Sequence, residues 1–226
     1  MRSAIVAVLL GCAAAPVSAQ VAPSGSEISA YSGLFAAAAR GDTTAVRSLI
    51  AAGAKPDLRD GYGRTPLHVA AYRAQHEVLR ALVAAGANPN ALENDRYDIV
   101  TIAAVANDLP TLKLSLTLGA SARNVTSRYD GTALIAAAHL GHAEVVRTLI
   151  AAGAPLDHVN NLGWTAVIEA IVLGDGGARH TDTLKTLIDA GANLNLPDRQ
   201  RQTPLRLASA RGYATMVSML QQAGAK

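Results

Sequence analysis

The sequence predicts an all-α repeat protein, a solenoid of about six helix-turn-helix units joined by polar turns, which we call fingers. Three observations predict it. A Gly-Ala dipeptide recurs at intervals of 33, 33, 34, 38 and 33 residues. Segments with helical periodicity precede the dipeptides, and polar Asp/Gly-rich turns link the units. Of the 226 residues 47 are alanine and only 4% are aromatic, which favours thin, closely packed helical layers over a thick core.

The first 19 residues have the pattern of a signal peptide. Arg2 precedes an apolar run over residues 4–10, and Val17-Ser18-Ala19 offers a small-x-small cleavage pattern. We therefore expect cleavage after Ala19 and a periplasmic or secreted protein. The stretch that ends at Cys12 also resembles a bacterial lipobox, so a lipoprotein anchored at Cys12 is the alternative. Residues 20–30 are expected to form a short linker.

The repeat domain is expected to span residues 31–226. Its units have approximate boundaries at 31–58, 59–92, 93–126, 127–158, 159–196 and 197–226. We number them one to six. No complete finger precedes the first unit, which indicates an N-terminal cap. In the last unit Gln221 stands where other units have Ile or Val, as expected of an outward-facing C-terminal cap.

Helix ends are predicted by local chemistry. Thr65 is a suitable N-cap and Pro66 suits the first turn of a helix, and Thr203-Pro204 repeats this pair. Nine residues after such landmarks a glycine is expected to end the first helix in a left-handed conformation. These glycines are Gly41, Gly141, Gly174 and Gly212. Gly53 and its equivalents are expected to end the second helix in the same way.

Two units depart from the pattern. In unit three Asp98 stands at the N-cap position, and Ser115 replaces the usual leucine, which predicts a weaker core or a softer joint. Unit five carries about five extra residues within 174–182. This insert is expected to project as a loop at the end of the helix pair opposite the fingers, with Asp182 capping a helix that begins near Thr183.

Two stretches carry a family resemblance. Residues 60–71, which contain Thr65-Pro66-Leu67-His68, resemble the ankyrin repeat signature, as do residues 141–146 followed by Gly153-Ala154. The resemblance covers about residues 31–226. It implies a curved solenoid of helix pairs with projecting β-turn or hairpin fingers, and protein–protein binding as the usual role. It also implies structural roles for His68 and His142.

Composition and motifs exclude several functions. The net charge of +3 without a Lys/Arg block argues against nucleic acid as the main partner. A single cysteine allows neither an intrachain disulfide nor a cysteine metal cluster. No nucleophile or phosphate-binding motif is present. We therefore expect a monomeric, non-enzymatic protein with no cofactor and with no transmembrane segment once the signal is removed.

The resemblance implies that the finger tips and the exposed turn of each first helix face the partner protein. These positions contain Tyr62, Arg64, Tyr72, Arg73, Tyr97, Arg128, Tyr129, His139, Leu162 and Trp164. Tyr, Trp and Arg are the residues that most often anchor interfaces. The sequence therefore predicts a protein-binding face. The alternative is that some of these residues pack between neighbouring fingers and stiffen the stack.

Histidines allow a second hypothesis. His180 lies in the insert with Asp175 and Asp182, and imidazole and carboxylate groups are competent metal ligands. The alternative function is therefore a small-ligand or metal-binding protein that uses residues 174–182. His76, His139 and His158 are expected to be solvated surface residues. Tyr31 and Phe35 are expected in the core.

Overall fold

The computed structural model describes residues 22–226. The expected signal peptide, its cleavage site and Cys12 lie outside the described residues. Within 22–226 the chain forms thirteen helices and one two-stranded antiparallel sheet. This confirms the predicted all-α solenoid with small fingers.

The helices follow one another in pairs, one pair for each unit. Helix α1 (Gly25–Ala30) precedes the first pair, α2 (Gly33–Arg40) and α3 (Thr43–Ala51). The next pairs are α4 (Pro66–Tyr72) with α5 (His76–Ala84), and α6 (Ile99–Val105) with α7 (Leu109–Thr117). Strands β1 (Val125–Thr126) and β2 (Gly131–Thr132) form the finger before α8 (Ala133–Leu140) and α9 (Ala143–Ala151). The last pairs are α10 (Ala166–Val172) with α11 (Ala178–Asp189), and α12 (Pro204–Ala210) with α13 (Ala214–Gln222).

The first helices begin where the sequence predicts. The Thr65 hydroxyl accepts from the backbone N–H of His68, and Asp98 does the same for Thr101 in unit three. Thr132, Thr165 and Thr203 cap α8, α10 and α12 in the same way. Each cap satisfies a backbone donor that has no partner within the helix.

One of the predicted glycine stops is wrong. Gly41, Gly141 and Gly212 are left-handed, with φ of 74°, 70° and 71°. Gly174 has no positive φ, and Gly176 turns the chain instead, with φ 71°. The insert therefore moves the left-handed turn two residues along the chain. The glycines after the second helices are all left-handed, beginning with Gly53 at φ 91°.

The core lies between two layers of helices. First helices pack on first helices along one layer, and second helices α3, α5, α7, α9, α11 and α13 pack in sequence along the other. Alanines of the first layer, such as Ala70, Ala103 and Ala137, are fully buried. Their small side chains let neighbouring helices approach closely, while Leu82 and Leu149 fill the second layer.

Both ends of the stack have caps. The stretch expected as a linker contains α1, whose N-cap Ser24 forms a capping box with Glu27. Tyr31 and Phe35, which were expected in the core, stack with ring centroids 5.2 Å apart and are only partly buried against it. At the other end Gln221 is exposed.

The insert of unit five is partly helical, contrary to the expected loop. Helix α11 has 12 residues and begins at Ala178 after the N-cap Gly177. Asp182 therefore lies inside α11 and does not cap it. Among residues 22–226, no helix combines the length and the apolar character needed to cross a lipid bilayer.

Candidate functional site

The fingers share one hydrogen-bonding pattern. Asp60 Oδ1 accepts from the backbone N–H groups of Tyr62 and Arg64, both at 2.9 Å. Thus each finger closes on an acceptor side chain that binds the residues two and four positions later. The equivalent acceptors are Glu93, Ser127, Asn160 and Asp198.

This hydrogen-bonding pattern defines two positions that are equivalent from finger to finger. The residue two after the acceptor forms the finger tip, and the residue four after it closes the finger next to the first helix. Tyr62 and Tyr129 are therefore equivalent tips. Arg64, Tyr97 and Trp164 are equivalent closing residues.

A groove lies between the fingers and the first helices of units three to five, and we call it the central groove. Its volume is about 550 Å³. Its apolar walls contain Tyr97, Val105, Tyr129, Ile135, Leu140, Leu162, Trp164 and Leu173. Its polar groups include Thr101, Ser127, His139, Asn160 and Glu169. Mostly apolar concavities with a few convergent polar groups are typical of binding sites.

The central groove contains five of the ten residues predicted for the binding face. They are Tyr97, Tyr129, His139, Leu162 and Trp164. Leu162 is 39% exposed, and Tyr129, His139 and Trp164 are half-buried. Tyr97 is only 8% exposed, and burial raises the pKa of its hydroxyl. Tyr97 therefore forms part of the floor rather than an exposed anchor.

Arg64 is a correction to the predicted binding face. It is only 1% exposed, and it forms ion pairs with Glu27 of α1 and with Asp60 of its own finger. Its guanidinium also lies 4.4 Å from the ring centroid of Tyr62, and the Tyr31 hydroxyl donates to Asp60 at 2.8 Å. Arg64 thus fastens the N-terminal helix to the first finger.

The other four predicted residues lie outside the central groove. Tyr62 and Arg128 are exposed finger residues, and Arg128 forms an ion pair with Asp95 of the neighbouring finger. Arg73 is exposed at the end of α4. Tyr72 is half-buried, and burial raises the pKa of its hydroxyl.

Sequence reasoning missed Glu169 and Asn160. Glu169 is 4% exposed on α10, and Asn160 Nδ2 donates to its Oε1 at 2.9 Å. His139 Nδ1 lies 3.4 Å from Glu169 Oε2. The sequence does distinguish Glu169 from its equivalents. The fourth residue after the residue that caps the first helix is apolar in other units, namely Val69, Ile102, Ala136 or Leu207.

His180 links the insert to the preceding unit. It is 4% exposed, and its Nε2 donates to the carbonyl oxygen of His139 at 2.9 Å. Its Nδ1 lies 2.8 Å from Asp175 Oδ1. Both ring nitrogens of His180 therefore have internal partners. In the described part of the chain, no three His, Cys, Asp or Glu side chains form a group suited to a metal ion.

The remaining histidines are structural more often than predicted. His68 is fully buried and donates from Nε2 to the carbonyl of Ala91 at 3.0 Å, and His142 reaches the carbonyl of Ala104 at 3.0 Å. Their predicted structural roles fit these contacts. His76 and His158 were expected to be solvated, but each is partly buried. Their Nε2 atoms lie 2.8 Å from Thr111 Oγ1 and 2.6 Å from the Asp130 carbonyl oxygen, respectively.

Comparisons with known proteins agree with this geometry. Family models described as "Ankyrin repeats (3 copies)" and "Ankyrin repeats (many copies)" match residues 100–198 and 34–83. The ankyrin repeat protein YahD of Escherichia coli K12 is 33% identical over 190 residues, which cover 84% of this chain and 94% of YahD.

Solved structures show the same architecture. An ankyrin repeat domain from Acinetobacter baumannii AYE is 42% identical with a TM-score of 0.80, and the match covers 85% of this chain and 98% of that one. The ankyrin repeat protein EF0377 is 30% identical with a TM-score of 0.78, again over 85% of this chain and 98% of that one.

Proposed function

This chain belongs to the ankyrin-repeat family, and on that premise we propose that it binds a partner protein through the central groove. Ankyrin repeats are protein–protein interaction modules, and their fold is generally a non-enzymatic scaffold.

One observation carries the proposal. The central groove brings Tyr129 together with Trp164, the single tryptophan of the chain, next to the largely buried Tyr97 in a volume of about 550 Å³. Large aromatic side chains in a partly desolvated recess are the usual anchors of protein interfaces. A segment of a partner protein that fills the recess would cover Leu162 and the half-buried faces of Tyr129 and Trp164.

Two equivalent tyrosines give a matched test. Tyr129 and Tyr62 hold the same position in their fingers, but only Tyr129 lines the central groove. We expect a photo-crosslinking amino acid at position 129, introduced in the native host, to capture a partner protein. The same amino acid at position 62 should capture much less of it.

Binding to the captured partner then tests the anchors individually. Trp164→Ala should weaken binding by about 2 kcal/mol or more, and Tyr129→Ala should also weaken it. Tyr62→Ala is the control and should change binding little. Melting curves must show that all three variants remain folded. Equal effects at positions 62 and 129 would contradict a site in the central groove.

We further propose that the protein acts outside the cytoplasm. The pattern around residues 2–19 supports export with cleavage after Ala19. The intact mass of the protein isolated from its native host should match a chain that begins at Gln20. A diacylglyceryl group on Cys12, lost in Cys12→Ala together with membrane attachment, would show the lipoprotein alternative instead.

A further inference from the structure

Glu169 is an acidic residue at a position that is otherwise apolar. The equivalent residues of units two, three, four and six are Val69, Ile102, Ala136 and Leu207. The Glu169 side chain is only 6% exposed. Burying a carboxylate is costly unless a positive charge or hydrogen bonds compensate it. A residue that breaks the repeat pattern at such a cost is a candidate for function.

The internal partners of Glu169 leave it without a permanent counter-charge. Asn160 Nδ2 donates to Oε1 at 2.9 Å, which satisfies one oxygen with a neutral group. The other oxygen, Oε2, has His139 Nδ1 at 3.4 Å. Across residues 22–226 no lysine or arginine forms an ion pair with Glu169.

The surroundings of Glu169 suit a cation. Tyr97, Tyr129 and Trp164 line the same central groove. The face of an aromatic ring attracts a lysine ammonium or an arginine guanidinium, and it does so more strongly where water is excluded. A recess lined by aromatic rings and one buried carboxylate is therefore complementary in charge to a basic side chain, and its apolar lining suits the hydrocarbon stem of that side chain.

We propose that the central groove recognises its partner by a lysine or arginine side chain, which inserts among the aromatic rings and pairs with Glu169. The proposal rests on the proposed function, because it names the chemistry of the segment that the groove binds. The apolar stem of the basic side chain would lie against Leu162 and Trp164, and its charge would replace the missing counter-charge of Glu169.

Selection from a random peptide library tests this chemistry. A phage-displayed library of unconstrained twelve-residue peptides is selected on the immobilised full chain, on its Glu169→Gln variant and on its Glu144→Gln variant. Glu169→Gln keeps the shape of the side chain and an oxygen that accepts from Asn160. Glu144→Gln is the matched control, since it makes the same change at an exposed residue of α9 outside the groove.

We expect the unmodified chain and Glu144→Gln to select peptides that share one lysine or arginine. Glu169→Gln should lose that enrichment. A selected peptide should bind Glu169→Gln about 30-fold or more weakly than the unmodified chain. Replacing the shared basic residue by methionine should cause a similar loss on the unmodified chain, and this arm does not depend on how well Glu169→Gln folds.

The outcomes separate the two proposals. If peptides are selected and are lost in Trp164→Ala but share no basic residue, the recognition of a basic side chain is wrong while the proposed binding site stands. If Glu169→Gln still selects peptides that share a lysine or arginine, pairing with Glu169 is wrong and the proposed binding site again stands. If the unmodified chain selects no peptide whose binding depends on Trp164, both the proposed function and this inference are overturned.

Discussion

At the scale of single residues, equivalent finger positions hold side chains with different surroundings. Arg64 and Trp164 both close a finger four residues after its acceptor. Arg64 has its partners within the protein, namely Glu27 and Asp60, and is buried. Trp164 faces the central groove and remains half-buried. The same backbone position therefore holds a buried ion-paired side chain in the first finger and a half-buried aromatic side chain in the central groove.

Two arginines that the sequence assigns to the same face should behave differently. Arg64→Met should destabilise the protein by about 3 kcal/mol, because it leaves the largely buried Asp60 without its cation. Arg128→Met should leave the free energy of unfolding nearly unchanged, because its ion pair with Asp95 is exposed. Urea denaturation of both variants measures the difference. Equal midpoints would show that the Arg64 network contributes nothing to stability.

The sequence could not separate these arginines. Both lie in polar finger segments, and what distinguishes them is a contact between Arg64 and Glu27, 37 residues earlier in α1. Glu169 is the reverse case. Its departure from the apolar register was visible in the sequence, but its hydrogen bond with Asn160 and its place in the same groove as the aromatic rings required the folded structure.

At the scale of helices, α7 differs from its equivalents at one buried position of the second layer. Ser115 is fully buried at the position that Leu82 and Leu149 hold in α5 and α9. Its hydroxyl donates to the carbonyl of Thr111 at 2.8 Å within the same helix. The side chain thus satisfies its own hydroxyl but fills less of the second layer than leucine does.

Truncation at equivalent positions tests whether unit three is the weaker joint. Leu82→Ala should cost about 2–5 kcal/mol, because it removes buried apolar surface and leaves a cavity. Ser115→Ala should cost less than about 1 kcal/mol, because one intrahelical hydrogen bond is lost while alanine favours the helix. Chemical denaturation of both variants compares them. A loss at Ser115 as large as that at Leu82 would show that the hydroxyl organises the core of unit three.

Helix boundaries were the most predictable feature, and the insert was the least. Threonine caps and the Gly-Ala stops act through their immediate neighbours, so their effects could be predicted from local sequence. The insert behaves differently because α11 starts after Gly177 and His180 binds the carbonyl of His139 in the previous unit. That contact spans 41 residues and has no local signal.

At the scale of the whole molecule, buried imidazoles connect neighbouring units and make stability depend on pH. Burial lowers the pKa of His68 from 6.5 to about 4, and burial also lowers the pKa of His142. In both histidines burial favours the neutral imidazole over the charged form. Since an unfolded chain takes up protons at these histidines more readily, acid favours unfolding.

The free energy of unfolding should therefore fall as the pH is lowered from above 6.5 towards 4. His68 alone should contribute about 3 kcal/mol to this loss, fully present above pH 6.5 and lost as the pH approaches 4. His68→Gln should be less stable at neutral pH and should show a flatter dependence between pH 7.5 and about 5. Urea midpoints across this range test the prediction, and an unchanged slope in His68→Gln would contradict it.

At lower pH the Glu27 carboxylate adds to the loss of stability in acid. Hydrogen bonds from Ser24, together with Arg64, lower the pKa of Glu27 from 4.5 to about 2. Its contribution is present above pH 4.5 and is lost as the pH falls towards 2. We therefore expect the contribution of Glu27 to the free energy of unfolding to be lost at lower pH than the contribution of His68.

The position of Trp164 has a practical consequence. It is the single tryptophan in the chain and it lines the central groove. The intrinsic fluorescence of the unlabelled protein is therefore an optical reporter of one surface. Emission should move to shorter wavelength when an occupant excludes water from the half-buried indole, whereas binding at the distant first finger should leave the spectrum unchanged. A titration followed by tryptophan emission alone can thus identify which molecules enter the groove and how tightly they are held.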